Sequence, residues 1–548
     1  MSTTVNIFGV DYDHTQMPDG ADLYVTRYGK PFAGHLQPEN WLEPAWFEKN
    51  RERLHGTSTV YKVRTKEVGA RSINIVVKWC RVGEAVPIDT MTFNKFAQAE
   101  FNSPYEEFEL VMEMRRAMPR SPIRTHKPLA IYVPAERLQL WQTGRSVSTI
   151  ASKNTRHRDV ELDIFRQYIL IYEWIKGRSA VEILEHLDVA EEHHDRIMAG
   201  LTKDAIGDLD AAGYRVLDMK PAHIIVRADK RREFVSMRNG RTAYALVDFE
   251  LLERTPRHAE EVAGVRRREY LRRQRDRFAN PAKPAVPGYL HIVEPMGVRY
   301  VFGHAESTHG LLWVAGQDPG LFDYFLPERW RRTPCMKLSR TNDLYYTKTK
   351  DDINLVWRVS RVGEQPTADP DTEQGGKMIA CGYNSPFEEF SMALELARRG
   401  VNTVYPRAIY MTGLEADKPT YIHDLRRFNE HAGLKTPSGE PILRPNHNYI
   451  AVWGYWNGMD EMLSSQNPVY CEGINLDTAR DAGYVSVAEH HRLLSLHRER
   501  LLNAGMEDLN LKGDHVLLSL SVESNLVRCE DGMPDMRQCN FELMRRVG

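Results

Sequence analysis

The sequence predicts an α+β fold built as two tandem domains, each passing from a small β-rich lobe into a reduced helical lobe. Three observations carry this expectation: the length of the chain, a long-period internal repeat, and the order of hydrophobic patterns inside each copy. At 548 residues the chain exceeds what one hydrophobic core ordinarily serves. "INIVVKWCRVGE" from Ile73 recurs as "INLVWRVSRVGE" from Ile353, and "FNSPYEEF" from Phe101 recurs as "YNSPFEEF" from Tyr383. "YILIYEWIKG" from Tyr168 is answered by "YIAVWGYWNG" from Tyr449, and "VDFELLER" from Val247 by "CNFELMRR" from Cys539. The offset moves only from 280 residues (Lys78 against Arg358) to 292 (Asp248 against Asn540). A period of that length means paired domains, because solenoid repeats are far shorter.

The expected division is a first domain over residues 1–256, a basic helix with a proline-rich linker over 257–287, and a second domain over 288–548. In each copy β-rich segments come first ("STVYKVRTKEV", "INIVVKWCRV"), followed by a helix opening at "NSP". Ser103 is placed to cap that helix, Pro104 suits its first turn, and Glu106 and Glu107 complement the positive dipole end. Strands are expected around "PLAIYVP" and "QYILIYEW", then helices, then a strand pair flanking a turn within "AHIIVRADKRREFVSMRNGRTAYALVDF". The segment "RHAEEVAGVRRREYLRRQRDRF" has helical periodicity, with arginines expected to be solvated and offset by nearby acids.

Bulk properties exclude several classes. Hydrophobic content of 42% and charged content of 27% describe a folded globular chain. A formal charge of −2 leaves no global field for nucleic acid or acidic lipid. Six cysteines without a CxxC pair suit a reducing compartment. No apolar run reaches the length of a bilayer span, and the first residues lack the pattern of a signal peptide, so a cytoplasmic protein is expected. The pairs His193–His194 and His490–His491 lack metal-ligand spacing and read as solvated helix faces.

Phosphoryl transfer asks a protein for a cation on the phosphates, a carboxylate for Mg²⁺ and a group that orients the attacking hydroxyl. The first copy offers these in a familiar order. Lys78 lies in "INIVVKW", where strand alternation sets Val76 and Lys78 on the face opposite Ile75 and Val77. Glu107 heads the "NSP" helix with Leu110, Val111 and Met114 forming an apolar stripe on its side, whereas Glu106 fits better as a helix-terminal acid. "DMKPAH" supplies Asp218, Lys220 and His223, and "VDFE" supplies Asp248 and Glu250.

From about Leu54 to Glu250 these motifs resemble the protein-kinase-like fold in its broad sense, including small-molecule kinases of the choline-kinase and aminoglycoside-phosphotransferase type, which share Asp-Phe-Glu. The resemblance implies that Lys78 binds nucleotide phosphates and is paired by Glu107. It implies that Asp218 orients the substrate hydroxyl, that Lys220 stabilises the transferred group, and that Asp248 holds Mg²⁺. Val60 is expected over an adenine, with Gly56 the one glycine kept from the phosphate loop, helped by Thr57, Ser58 and Thr59. Glu173 and Ile175 are expected to offer backbone groups to the base. His223 stands where the family has a metal-binding asparagine. One Mg²⁺ then suffices, or Mn²⁺ is used, or the site is inactive, and a loop histidine bonded to backbone is the plainer reading. Glu250 is expected to face solvent or to add a contact behind the metal site.

In the second copy Lys78 becomes Arg358, Asp218 becomes Asn510 and Asp248 becomes Asn540. An amide is neither a base nor a good Mg²⁺ ligand, so this copy reads as a pseudokinase. The expected activity is ATP- and Mg²⁺-dependent phosphotransfer by the first copy to a small molecule, sugar, lipid headgroup or protein, since the Ala-Pro-Glu segment and large helical lobe of protein kinases are missing after Asp248. The alternatives are a non-catalytic double pseudokinase acting as a scaffold in a protein complex, and transfer of a nucleotidyl group.

Overall fold

The computed structural model describes residues 2–54, 59–80, 101–117, 123–138, 166–187, 189–237, 239–278, 285–331, 333–339, 343–413, 415, 423–458 and 471–547. The fold is α+β. The chain forms two compact units that divide between Val262 and Ala263.

The first unit opens with three strands, β1 (Ser2–Ile7), β2 (Val10–Gln16) and β3 (Asp22–Thr26), and continues through β4 (Arg51–Arg53), β5 (Val60–Arg64) and β6 (Asn74–Trp79). After β7 (Arg124–Thr125) come β8 (Pro128–Val133) and β9 (Ile169–Glu173). All of these except β7 form one eight-stranded sheet in the order β1-β2-β3-β8-β9-β6-β5-β4, antiparallel throughout. This sheet is larger than the small lobe expected from the sequence, because β1–β3 extend it. Their start is set by Phe8–Gly9, both at positive φ (51° and 73°), a two-residue turn whose twist matches that of the flanking strands. One sheet face buries Leu23, Trp41, Val63, Ile75, Val77, Leu129 and Ile171 in a common core.

Against the sheet lies helix α2 (Pro104–Ala117), which follows the short α1 (Pro44–Asn50) and packs on β2 and β8. Its start has the expected cap and more. The Glu106 amide donates to Ser103 Oγ at 3.1 Å, while Glu106 Oε2 accepts from the Ser103 amide at 2.9 Å. Two further helices, α3 (Ala180–His186) and α4 (Glu191–Ala211), enclose a second core with two short sheets. One pairs β10 (Arg178–Ser179), β12 (Ile224–Val226), β13 (Tyr244–Leu246) and β7; the other pairs β11 (Tyr214–Val216) with β14 (Leu252–Arg254). The expected strand pair is β12 with β13, in antiparallel register from Ile224 opposite Leu246.

The unit boundary falls inside helix α5 (Pro256–Arg275). Its arginines are offset by acids, though several are packed and not solvated. Arg266 bonds Asp323 at 2.6 Å and also Asp351, Arg267 pairs with Asp352, and Arg273 bonds Asp318 at 2.8 Å. Residues 279–284 of the expected linker lie outside the described residues.

In the second unit β15 (His291–Val293), β16 (Tyr300–Ala305), β17 (Gly310–Ala315), β18 (Cys335–Lys337), β19 (Leu344–Lys348), β20 (Asn354–Val359), β21 (Pro406–Met411) and β22 (Tyr449–Gly454) form another eight-stranded antiparallel sheet. Its order is β15-β16-β17-β21-β22-β20-β19-β18, position for position that of the first. Helices α6 (Glu373–Cys381) and α7 (Pro386–Arg398) follow, then α8 (Arg426–Glu430), α9 (Leu476–Asp481) and α10 (Val487–Asn503). β23 (Glu472–Asn475), β25 (Val516–Leu520) and β26 (Met536–Gln538) form a small sheet, and β24 (Met506–Asp508) pairs with β27 (Met544–Arg546). Among the described residues no helix is long and apolar enough to cross a membrane.

Candidate active site

Strand alternation decides the site's first residue. Ile75 and Val77 point into the core, so Val76 and Lys78 face the other way, into a cavity of about 420 Å³. Val60 stands opposite Lys78 in the β5–β6 register and lines the same cavity. So do Glu173, Ile175, Lys220, His223 and Asp248, whereas Gly56, with Thr57 and Ser58, lies outside the described residues. Glu173 stands at the cavity as expected, and of its two backbone groups the amide is engaged. Its amide donates to the Lys127 carbonyl at 2.9 Å and is therefore committed within the protein.

The Lys78 side chain is 5% exposed and faces three carboxylates: Asp248 Oδ1 at 2.7 Å, Glu250 Oε2 at 3.3 Å and Glu107 Oε1 at 3.6 Å. Burial works against the ammonium's charge, but Asp248, Glu107 and Glu250 outweigh it and hold its pKa well above the ordinary lysine value. Burial conversely raises Glu107, against the pull of Lys78 and of Tyr172, whose hydroxyl donates to Glu107 Oε1 at 2.5 Å. Glu250 is fully enclosed and does not face solvent, since only an interior carboxylate can reach this lysine. One cation among three acids leaves the pocket rich in negative charge, an environment in which a buried group demands compensation.

The loop after β11 brings Lys220 and His223 to the cavity, whereas Asp218 does not line it. Asp218 is enclosed, with Lys220 Nζ 3.8 Å from its Oδ2, and its Oδ1 accepts no hydrogen bond among the described residues. Burial lifts its pKa above the usual aspartate value, an effect opposed by His223 and reinforced by Asp248. A single 3-10 turn, Pro221–His223, then turns His223 inward. Its ring is not bonded to backbone as the plainer reading expected. Nε2 sits 3.4 Å from Asp248 Oδ2 and Nδ1 has no hydrogen-bond partner among the described residues, while burial lowers its pKa and favours the neutral ring.

Asp248 itself adopts a left-handed backbone, φ 68°, a conformation that costs a non-glycine residue energy and tends to persist at functional sites. Asn102 holds this loop in place. Its amide N–H donates to the Glu250 carbonyl at 2.9 Å and its side chain to the Leu252 carbonyl at 2.8 Å. The sequence carried a signal for this role that went unread, for Asn384 stands in the second "NSP" and bonds the carbonyls of Glu542, Phe541 and Met544 in the same way. A second residue missed was His126. It stacks on Tyr172 with ring centroids 3.7 Å apart, lines the cavity, and is driven to a pKa of about 3 by burial and by Lys78. Its signal was weaker: the matching position in the second unit is Val404.

The second unit arranges its counterparts differently. Arg358 is buried between Glu389 and Glu542, the latter at 3.1 Å. Asn540 replaces the third carboxylate and is not in a left-handed conformation. Of the histidine pairs, His490 is buried against Asp477 at 2.7 Å, not solvated as expected, and His194 Nε2 bonds the Val189 carbonyl at 2.8 Å. Among the described residues no group of three or more His, Cys, Asp or Glu is arranged to hold a metal.

No protein-family model matches the chain, and no curated protein matches its sequence significantly.

Proposed function

We propose that the first unit is an ATP- and Mg²⁺-dependent phosphotransferase of the protein-kinase-like type, and that the second is a pseudokinase copy that regulates or braces it. One observation carries this reading: Lys78, held by Glu107 and Asp248, stands on the wall of a 420 Å³ cavity whose floor is formed by Lys220, His223 and the Asp248 loop. The volume falls in the range of small-ligand sites, and Val60, Val76, Ile225 and Val247 give it apolar walls suited to a flat base. The residues fit a metal that arrives on a nucleotide. Among the described residues no complete protein ligand set surrounds Asp248, and Mg²⁺ is commonly held by one or two carboxylates together with substrate phosphates. Bound there, the ion would neutralise phosphate charge.

In this reading Lys78 binds the nucleotide's phosphates and Asp248 anchors the ion. Asp218, whose buried Oδ1 accepts no hydrogen bond among the described residues, orients the acceptor hydroxyl and takes its proton once the acceptor reaches it. Lys220 offsets charge on the transferred group. The acceptor is a small molecule, sugar, lipid headgroup or protein. His223 beside Asp248 supplies nitrogen where a hard ion prefers oxygen, and this favours Mn²⁺ as an alternative ion or a purely binding role for the whole chain.

The deciding experiment is a thermal-shift titration with ATP, with and without Mg²⁺ or Mn²⁺, on the native chain and on Asp248→Asn. Ligand at a hundred times its Kd adds about 2.7 kcal/mol of stability. A metal-dependent shift lost in Asp248→Asn is expected. No shift at millimolar nucleotide would replace the proposal with a double pseudokinase. The mass of any product then separates phosphate transfer from nucleotidyl transfer.

A further inference from the structure

The second unit has its own cavity of about 360 Å³, lined by Arg361, Asn510, Lys512, His515 and Asn540 among others. Its chemistry inverts that of the first. Both positions that carry Asp218 and Asp248 in the first unit are amides here, while the lysine of the loop is kept as Lys512. The remaining carboxylate on the wall, Glu542, is bound to the permanently charged guanidinium of Arg358 at 3.1 Å. Glu389 on the same guanidinium is pushed up to about 8 by burial. The group behind the cavity is therefore close to neutral, where the first unit surrounds one lysine with three acids.

The amides and the histidine are also oriented. Asn540 Oδ1 accepts from the Glu542 amide at 2.9 Å, which turns its NH₂ group towards His515 Nε2, 3.3 Å away, and Glu542 Oε2, 3.5 Å away, so both of its N–H groups have partners within the protein. His515 is in turn fixed by Asp508, whose Oδ2 meets Nδ1 at 2.8 Å and accepts from Gln538 Nε2 at 3.0 Å. Gln538 Oε1 is bonded by His497 at 2.9 Å, so a buried polar chain holds the cavity's histidine from behind. At the front, Arg361 lies over the Tyr383 ring at 4.1 Å with Glu364 at 3.0 Å, and Lys512 lies 3.2 Å from Asp514. These two ion pairs are partly exposed, and such pairs are weak enough for a doubly charged anion to displace.

We infer that the second unit binds a phosphate monoester without a metal ion, through Arg361, Lys512 and the amide group of Asn510. Two cationic donors and one neutral amide make charge-assisted and neutral hydrogen bonds to phosphate oxygens, and no carboxylate remains at the two positions that would call for a bridging cation. The inference stands whether or not the first unit is catalytic.

The test is titration calorimetry on the full chain in excess EDTA, with inorganic phosphate, a sugar phosphate and ATP as separate probes. Binding that persists in EDTA is expected for at least one probe, and the ranking of the three separates a free phosphate from a sugar or nucleotide source. It should weaken at least tenfold in Lys512→Ala and in Arg361→Ala and survive in Asp248→Asn. Asn540→Asp should abolish it in EDTA by returning a carboxylate to the site. Lys512 is 46% exposed and tolerates truncation, so that variant decides the matter even if Asn540→Asp misfolds. Absence of EDTA-resistant binding by all three probes, or binding unaltered in both Lys512→Ala and Arg361→Ala, would overturn the proposal.

Discussion

Lys78 shows why a residue's worth depends on what is left when it goes. Removing it strands Glu107, Asp248 and Glu250 together in the interior, so Lys78→Met is expected to cost about 3–5 kcal/mol in urea unfolding, beyond any effect on activity. Asp218→Asn is the cleaner probe of chemistry. It keeps the shape, and under the proposed function it lowers turnover at least a hundredfold while costing about 1 kcal/mol in unfolding free energy, well below the cost of Lys78→Met. His126 makes a separate prediction about pH. Its folded pKa, near 3, lies below the ordinary 6.5, so between those values the unfolded chain takes up a proton that the folded chain refuses. Its contribution to stability is complete above about pH 6.5 and is lost as pH falls towards 3. His126→Gln should flatten that limb of a stability profile measured by denaturant unfolding between pH 7 and 5. Glu389 slopes the other way, because its folded value of about 8 exceeds 4.5 and favours the fold at lower pH.

Elements explain how single residues come to meet. Helix α2 begins where it does because Ser103 and Glu106 satisfy each other's amides, and that fixed start places Glu107 towards Lys78. Asn102, one residue earlier, ties the same helix start to the loop carrying Asp248. Asn102→Ala should cost about 1–3 kcal/mol by exposing buried carbonyls to no donor. It should also lower metal-dependent nucleotide binding in the thermal-shift assay, although Asn102 does not line the cavity. Much of this was legible in the sequence. The cap, the strand faces of β6 and the β12–β13 pair follow from local patterns of period 2 and 3.6 that need no tertiary information. The pairing of Glu250 with Lys78 was not legible, because an acid after "DF" says nothing of which way its side chain turns. The three added strands β1–β3 were missed because "VDYDHTQ" alternates with acids on one face and reads as polar until its partners are known. His126 was invisible for a related reason, since burial and stacking are properties of its neighbours.

At the scale of the whole chain, two sheets of identical strand order carry opposite electrostatics at corresponding sites, an excess of acid in one and of base and amide in the other. The strand order is shared while the charges at the two sites differ. The arginine partners of α5 give this molecule a practical boundary. A protein cut to begin at residue 288, where the sequence alone would place a domain, leaves Asp318 and Asp352 without Arg273 and Arg267. It also strips Arg266 from Asp323 and Asp351, and Tyr270 from Tyr324, whose rings lie 5.3 Å apart. A fragment beginning at Pro256 keeps them all. The shorter fragment is expected to unfold at a lower temperature and to be recovered poorly from refolding, and the longer one to melt in a single transition by calorimetry. What reads along the chain as a tether behaves in dissection as a counterion, carried by the protein to the acids it neutralises.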